Sequence, residues 1–300
     1  MHHDGMTAAL RDFSGDPAEL SINTATVRKA HGREVSLGTI LDACARHGIR
    51  AISPWRDQVQ AFGLDATARA VRDGGFRLSG YCRGGMFPAA DAAGLAAAHD
   101  DNLRALDEAC TLDAACLVLV VGALPGALAG VPAHKDLARS RAEVWDGIAR
   151  LLEAARERRM PLAIEPLHPM YAADRACINT LEQALDVCDQ LDAEQTGALG
   201  VAVDLYHVWW DPKLEAQIAR AGGKRLLAFH VCDWRVPTVD LLNDRGLPGE
   251  GVIEVRKVRG WVEAQGFAGD CEVEVFSHRW WERSTDEILD ACIAAHRTAV

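Results

Sequence analysis

Four short runs in the second half of this chain decide its fold: Leu162-Ala-Ile-Glu165, Val201-Ala-Val-Asp204, Leu227-Ala-Phe-His230 and Glu272-Val-Glu274. The runs are mostly apolar and include β-branched residues, which is typical of buried parallel strands. Each run ends on a side chain that can bind a metal ion. Because unpaired carboxylates are costly to bury, three carboxylates and one imidazole at successive strand ends predict one convergent site around a divalent cation.

Strand-like and helix-like patterns alternate along the whole sequence. The predicted strands lie near Leu20–Asn23, Gly48–Ser53, Arg77–Tyr81, Ala115–Val121, Pro161–Glu165, Leu199–Asp204, Leu226–Val231 and Cys271–Phe276. Amphipathic segments between and after them predict helices near Leu37–His47, Ala96–Ala109, Arg141–Arg158, Leu181–Leu191, Lys213–Ala221, Glu254–Gln265 and Asp286–Arg297. The spacing of Ser284-Thr-Asp-Glu287 and Thr180-Leu-Glu-Gln183 predicts a capping box at the start of two of these helices.

This alternation predicts a single-domain α/β fold, a (β/α)8 TIM barrel, whose usual size is about 250 residues. A doubly wound open sheet is the alternative, but no Gly-x-Gly-x-x-Gly follows the first strand. Only a barrel mouth brings the ends of four consecutive strands together. The domain is expected to span residues 1–300, with residues 1–17 as a candidate disordered tail, and Gly122–Pro132 is interpreted as a long loop.

Composition excludes several classes of function. The formal net charge of −11 disfavours a nucleic-acid partner, which usually requires a basic face. No apolar run approaches the roughly 20 residues of a membrane span, and the N-terminus lacks the pattern of a signal peptide. The nine cysteines are scattered without a Cys-x-x-Cys pair, which indicates reduced thiols and a cytoplasmic protein.

The first two metal-binding runs continue into histidines that are candidates for substrate contact. Glu165 is followed by a proline and then by His168, which marks an abrupt exit from the strand. Asp204 is followed by His207 in an Asp-x-x-His pattern, so that Asp204 can bind the ion while His207 faces the substrate. The alternative for His207 is a histidine that supports the ligands or packs in the core.

The third run is followed by a candidate cation. Arg235 comes shortly after His230 and is predicted to bind a hydroxyl, carboxylate or phosphate group of the substrate. The alternative is an ion pair with Asp233, its near neighbour in sequence.

The last run leaves two glutamates to choose between. Glu272 and Glu274 share a face of their strand because side chains alternate with period two. Glu274 is predicted to be the ligand because it lies nearer the strand end. Glu272 is then expected one layer deeper, paired with a basic group inside the barrel.

The predicted metal ligands are therefore Glu165, Asp204, His230 and Glu274. Oxygen donors with a single nitrogen suit one Mn²⁺ or Mg²⁺ ion best, and Co²⁺ and Zn²⁺ are alternatives. Six of the eight tryptophans follow predicted strand ends: Trp55, Trp209, Trp210, Trp234, Trp280 and Trp281. Such rings can pack on the apolar face of a sugar or cyclitol, and Trp55, Trp209 and Trp234 are the predicted substrate contacts.

Together these residues resemble the xylose isomerase-like TIM-barrel superfamily, in particular its sugar phosphate isomerase/epimerase branch. That branch includes ketose 3-epimerases, hydroxypyruvate isomerases, inosose dehydratases and dehydroshikimate dehydratases. Its pattern of Glu, Asp-x-x-His, His, Arg, Gly-x-Gly and Glu falls on Glu165, Asp204 with His207, His230, Arg235, Gly249-Glu-Gly251 and Glu274. The sister family of endonuclease IV-type enzymes has further histidine ligands, which this sequence lacks at Ser53-Pro-Trp55, Tyr81-Cys-Arg83 and Asp233-Trp-Arg235.

The resemblance implies one divalent ion that chelates adjacent oxygens of a polyhydroxy carbonyl compound. Glu165 and Glu274 would then transfer protons as general base and acid. The expected activity is isomerisation or epimerisation of a ketose or sugar phosphate. Dehydration of an inosose or a dehydroshikimate-like substrate is the alternative, and a non-catalytic sugar-binding protein is a third. Proteins of this branch often pair, so a homodimer is a further expectation.

Overall fold

The computed structural model describes residues 10–12 and 17–300, in which nine strand segments form one parallel sheet. Eight barrel strands account for these segments. They are β1 (Leu20–Asn23), β2 (Ala51–Ser53), β3 (in two parts, Arg77–Leu78 and Tyr81–Gly84), β4 (Leu117–Leu119), β5 (Leu162–Ile164), β6 (Leu199–Asp204), β7 (Leu226–Val231) and β8 (Cys271–Val273). The predicted TIM barrel is confirmed.

The barrel is closed through β3, which changes partners halfway along its length. Its first part pairs with β2 and its second part with β4, while β8 pairs with both β7 and β1. At the break, the Ser79 amide donates to the Ile52 carbonyl at 3.0 Å, and the Tyr81 amide donates to the Cys116 carbonyl at 2.9 Å. The single strand predicted at Arg77–Tyr81 is therefore wrong in its bounds. Its hydrogen bonds change from one neighbouring strand to the other at this point, so the strand is divided.

Helices surround the sheet. They span Leu37–Arg46, Arg56–Phe62, Leu64–Asp73, Ala92–Thr111, Leu137–Arg158, Leu181–Leu191, Leu205–Val208, Leu214–Arg225, Val255–Ala264, His278–Trp281 and Thr285–Ala299. Two of them start earlier than their apolar pattern predicts because aspartate caps precede them. Asp91 accepts a hydrogen bond from the Gly94 amide, and Asp136 accepts one from the Arg139 amide.

The two predicted capping boxes have different outcomes. Ser284 and Glu287 form a complete box, in which each side chain accepts from the other residue's backbone amide. At the other helix, Thr180 caps the Gln183 amide, but the Gln183 side chain accepts from the Asn179 amide, one residue earlier than a box requires.

Small side chains fill the inside of the barrel beneath the strand ends: Cys82, Cys116, Val118, Ala163, Ala202 and Ala228. The larger apolar residues form a second cluster between sheet and helices.

The predicted tail, residues 1–17, lies largely outside the described residues. Within the part that is described, Arg11 is not loose: its side chain pairs with Glu263 at 2.8 Å, and its carbonyl accepts from Arg259. Residues 10–12 therefore lie on the helix Val255–Ala264. No helix in the described part of the chain is long and apolar enough to span a membrane.

Candidate metal centre

Four side chains from the ends of β5 to β8 meet at the mouth of the barrel. One donor atom each from Glu165, Asp204, His230 and Glu274 lies within 4.8 Å of the other three, and all four residues are buried. Three carboxylates and one imidazole thus surround a volume of about the size that a single cation fills. The structure brings together the four residues that the strand-end pattern singles out.

The backbone ladder fixes the height of each of these side chains. His230 on β7 is in register with Asp204 on β6 and with Glu272 on β8. Beyond the formal strand ends, the Glu165 amide donates to the Leu119 carbonyl and the Glu274 amide to the Val231 carbonyl, each at 3.1 Å. Both glutamates are therefore held by ladder hydrogen bonds and not by flexible loops.

The pKa shifts of Glu165, Glu274 and His230 show that negative charge is in excess in the cluster. Burial raises the pKa of Glu165 and of Glu274, and neighbouring carboxylates add to the shift. Burial would lower the pKa of His230, but Glu272, Glu165 and Glu274 outweigh it and the pKa lies well above its usual value. These three groups are shifted in the direction that reduces the net negative charge, which is the electrostatic setting that a divalent cation relieves; the pKa of Asp204 is shifted the opposite way.

The donor set fits such a cation. His230 is completely buried, and its Nε2 has no hydrogen-bond partner; the nearest carboxylate oxygen, Oε1 of Glu272, is 3.5 Å away. The Nδ1 atom of the same ring lies 3.2 Å from Oε1 of Glu165. A buried ring nitrogen without a partner beside three carboxylates is the arrangement expected of a metal ligand.

Arg245 is the cation that the protein itself supplies to the cluster. Its Nη1 donates to Asp204 at 3.0 Å and to Glu274 at 2.8 Å, and its Nη2 lies 3.2 Å from Nε2 of His207. Burial would raise the pKa of Asp204, but Arg245, His207 and His230 outweigh burial and hold it below its usual value. Arg245 therefore keeps Asp204 ionised and ready to bind a metal ion.

Glu272 lies outside the ligand cluster, and the basic group that the sequence predicts beside it is His230, whose Nε2 lies 3.5 Å from Oε1 of Glu272. The amide nitrogen of Asn23 donates to Glu272 at 2.8 Å and to Glu274 at 2.9 Å, and the Ser79 hydroxyl donates to Glu272 at 2.8 Å. Neutral donors therefore hold Glu272 in addition to its basic neighbour His230. Asn23 is itself fixed by Trp55, whose indole nitrogen donates to its side-chain oxygen at 2.8 Å.

A cavity of about 260 Å³ opens beside the cluster. Glu165 and Glu274 line it, whereas Asp204 and His230 lie behind them. Of the predicted substrate-binding residues, Trp55 and His207 are in the lining. The other lining residues are Cys82, Arg83, Met86, Val120, Leu128, Leu167, Tyr171, Arg175, Leu242, Arg245 and Phe276.

Three predicted substrate-binding rings pack against one another next to the cavity. His168 stacks on Trp234 with ring centroids 5.2 Å apart, Trp209 lies 5.8 Å from Trp234, and Trp234 stacks on Tyr206 at 4.7 Å. His168, Trp209 and Trp234 are absent from the lining because these stacking contacts turn them towards each other. Substrate contact by these three residues stays a prediction.

Arg235 also lies away from the lining. Its guanidinium pairs with Asp244, and Asp233, the partner considered from sequence, instead accepts from the backbone amides of Trp234, Gly249 and Ile253. The arginine that reaches the cluster is Arg245, which enters through a short antiparallel pairing of Trp234 with Arg245. Contact between Arg235 and a substrate has no support from this geometry.

Sequence reasoning missed Arg245 and Asn23 for different reasons. Asn23 is the last residue of β1, so the strand-end criterion that identifies the metal ligands also applies to it. Arg245 carries no such signal, since it lies in a loop whose return to the barrel is decided by tertiary contacts. A Cβ atom on Gly251 would collide with the Trp234 carbonyl oxygen, so this glycine of the Gly-x-Gly pair allows the loop to close.

The sequence matches a known family over most of its length. The profile of the xylose isomerase-like TIM-barrel family aligns with residues 41–295. The inosose isomerase of Bacillus subtilis (strain 168) is 22% identical over 147 residues, which cover 48% of this chain and 50% of that protein. The match thus spans about half the length of this curated relative.

Solved structures share the architecture. A crystallised protein of Sinorhizobium meliloti 1021 superposes with a TM-score of 0.88 at 52% identity, covering 95% of this chain and 99% of its own. The IOLI protein, crystallised with a bound zinc atom, gives 0.76 at 18% identity and covers 92% and 96% of the two chains. A D-psicose 3-epimerase and a probable 3-DHS dehydratase of Bacillus anthracis give 0.71 at 17% and 0.69 at 15% identity, each covering at least 92% of this chain. The last three show a common fold.

Proposed function

Because this chain belongs to the xylose isomerase-like TIM-barrel family, we propose that it is a metal-dependent isomerase or epimerase of a small sugar or cyclitol. The observation that carries the proposal is the position of the two glutamates. Glu165 and Glu274 belong to the buried ligand cluster and also line the cavity, whereas Asp204 and His230 do not reach it. Two of the four ligands are thus placed to touch a substrate as well.

One divalent ion would be held by Glu165, Asp204, His230 and Glu274. When bound, such an ion acts as a Lewis acid that polarises a carbonyl group and an adjacent hydroxyl group. Mn²⁺ and Mg²⁺ suit the three carboxylates and one imidazole best. Zn²⁺ and Co²⁺ are alternatives, and the zinc bound by the IOLI protein, which shares the fold, supports a divalent ion.

The protein's own residues supply the proton transfers. Glu274 and Glu165 stand on neighbouring sides of the cavity and serve as general base and general acid at the carbon next to the carbonyl group. Return of the proton to the opposite face of that carbon gives epimerisation, and its return to the neighbouring carbon gives isomerisation.

His207 and Arg245 orient the substrate. Burial lowers the pKa of His207 to about 3, so its ring is neutral at physiological pH and lines the cavity without adding charge. Its Nδ1 accepts from the His168 amide at 3.2 Å, so the ring is fixed in position. Arg245 lies beside it at 3.2 Å and presents donors to the same part of the cavity. Trp55 and Phe276, in edge contact at 5.4 Å, form an apolar wall against which the carbon skeleton can pack.

A metal-dependent dehydratase is the second candidate. The same glutamates would remove a proton, and a hydroxyl group on the next carbon would leave. The support is the common fold of an inosose-converting relative, a D-psicose 3-epimerase and a probable 3-DHS dehydratase. A sugar-binding protein without activity is the third candidate.

The test separates the three candidates. Protein stripped of metal and reloaded with Mn²⁺ is incubated with ketoses and inososes in D₂O. Deuterium incorporation next to the carbonyl group, observed by NMR, supports the isomerase or epimerase. Appearance of enone absorbance without reversible exchange supports the dehydratase. If the same compounds bind and neither signal appears, the result supports the third candidate, a sugar-binding protein without activity.

The nine cysteines agree with a reducing compartment. All are free thiols, and eight of the nine are buried or nearly so; Cys110 is partly exposed. Burial raises the pKa of Cys82, a cavity residue, well above its usual value, so this thiol is not activated as a nucleophile. We therefore place the protein in the cytoplasm and assign no catalytic role to cysteine.

A further inference from the structure

The cavity contains more positive charge than the metal centre needs. Three arginines line it: Arg83, Arg175 and Arg245. Arg245 is neutralised by its hydrogen bonds to Asp204 and Glu274. The three carboxylate ligands together balance one divalent ion and Arg245, and the nearby carboxylate of Glu272 adds one negative charge, so that Arg83 and Arg175 still leave the site with a surplus of positive charge.

Arg83 lies at the end of β3 without a partner. No hydrogen bond or ion pair joins its guanidinium to any residue in 10–12 and 17–300, although the side chain is largely removed from water. Its charged neighbours are Glu165 and Asp57, which attract it, and Arg175, which repels it. Glu165 belongs to the ligand cluster, and its Oε1 lies 3.2 Å from Nδ1 of His230. Its carboxylate therefore pairs with His230 and not with Arg83.

Arg175 approaches the cavity from the loop that follows β5. Its guanidinium lies over the Tyr171 ring, 5.1 Å from the centroid, and within the described part of the chain it forms one ion pair, with the adjacent Asp174 at 3.3 Å. Both members of this pair are partly exposed, at 29% and 35%, so the pair is weak and leaves donors of Arg175 free to turn to a ligand.

We propose that Arg83 and Arg175 form an anion-binding subsite, and that the substrate carries a carboxylate or phosphate group which lies there. This inference rests on the proposed function, since the metal centre would hold the reacting end of the same molecule. Two guanidinium groups side by side repel each other unless an anion lies between them. Met86, Val120 and Leu128, which line the same side, supply no negative charge.

A series of three ketoses on one carbon skeleton tests the subsite. D-fructose is neutral, D-fructuronate adds a carboxylate, and D-fructose 6-phosphate adds a phosphate. Their dissociation constants are measured by calorimetry with the Mn²⁺-loaded protein and with its Arg83→Gln and Arg175→Gln variants. Arg72→Gln is the matched control, because Arg72 is an exposed arginine on the helix Leu64–Asp73. Circular dichroism and Mn²⁺ affinity verify that each variant is folded and loaded.

We expect at least one acid to bind about 10–100-fold more tightly than fructose, as hydrogen bonds to a charged group allow. The acid that does so identifies the group as carboxylate or phosphate. Arg83→Gln and Arg175→Gln should each remove most of this preference and leave fructose binding unchanged, and Arg72→Gln should change neither.

The proposal is overturned if fructose binds as well as both acids, or if the preference for an acid survives both substitutions. It is also overturned if neither acid nor inorganic phosphate binds in a manner that depends on Arg83. Deuterium exchange into fructose would meanwhile keep the proposed function intact. Conversely, Arg83-dependent binding of an acid without exchange into any ketose would keep the subsite and refute the isomerase.

Discussion

The two halves of the barrel differ in the side chains that lie at their strand ends. Strands β5 to β8 lead into Glu165, Asp204, His230 and Glu274, which are charged or can become so. In the first half, β1 and β2 end on Asn23 and Ser53, which are neutral. The same backbone architecture thus carries metal ligands at the ends of β5 to β8, here called the charged half, and neutral hydrogen-bonding side chains in β1, β2 and the first part of β3, here called the neutral half. Arg83, in the second part of β3, is the charged exception.

The neutral half stabilises the charged half through hydrogen bonds. Asn23 donates to Glu272 and Glu274 together, and Ser79 donates to Glu272. Neutral donors fix the position of a carboxylate without cancelling its charge, so the glutamate stays able to bind a metal ion. The neutral half therefore positions the metal ligands, and the charged half supplies them.

The largest expected effect is a difference in kcat between variants of Glu274, which lies just beyond β8, and of Glu272, which lies in β8. Glu274→Gln should lower kcat by about 10²–10⁴-fold, because an amide cannot accept the substrate proton. Glu272→Gln should retain Mn²⁺ binding and most of the activity, since the glutamine oxygen can still accept from Asn23 and its NH₂ group can donate to the Ser79 hydroxyl. Metal content and kcat are measured for both purified proteins. An inactive Glu272→Gln beside an active Glu274→Gln would show that the roles are reversed.

A second pair of variants compares the two arginines that follow β7. Arg245→Met leaves Asp204 and Glu274 without their cation and should cost about 3–5 kcal/mol of unfolding free energy in the metal-free protein. Arg235→Met should cost about 1 kcal/mol, because its pair with Asp244 is partly solvated. Denaturant titrations with and without Mn²⁺ measure both, and Mn²⁺ should restore part of the loss in Arg245→Met. Equal losses for the two variants would refute the assignment of Arg245 to the site.

A smaller effect is expected from the neutral half. Asn23→Ala removes the donor shared by Glu272 and Glu274 and should weaken Mn²⁺ binding by about 10–100-fold. Ser53→Ala is the control, because Ser53 also ends a strand, but the hydrogen bond of its side chain among the described residues is with the Cys82 thiol, at 3.7 Å, and not with a carboxylate. Calorimetric titration with Mn²⁺ gives both affinities. If the two variants bind equally well, the first half of the barrel has no part in positioning the ligands.

Sequence could predict what depends on local periodicity. A buried strand ends where its apolar run ends, so the strand-end residues Glu165, Asp204 and His230 could be identified without any structure. The period of two also limited the last ligand to Glu272 or Glu274, and the nearness of Glu274 to the strand end decided between them.

The remaining features depend on contacts between distant parts of the chain. Arg235 and Arg245 follow the same strand, and only the pairing of Trp234 with Arg245 brings the second of them back to the cluster. The tryptophans were expected at the mouth, but stacking turns Trp209 and Trp234 towards each other. The division of β3 likewise arises from its two neighbours, and Gly80, which lies at the break, is the sequence signal that could have indicated it.

The central claim is that the charged half of the barrel holds one divalent cation. The most direct test is anomalous diffraction from crystals soaked in Mn²⁺. A single peak should lie at about 2.0–2.3 Å from donor atoms of Glu165, Asp204, His230 and Glu274. The absence of a peak between these four residues, or a peak bound by Glu272 in place of Glu274, would contradict the account.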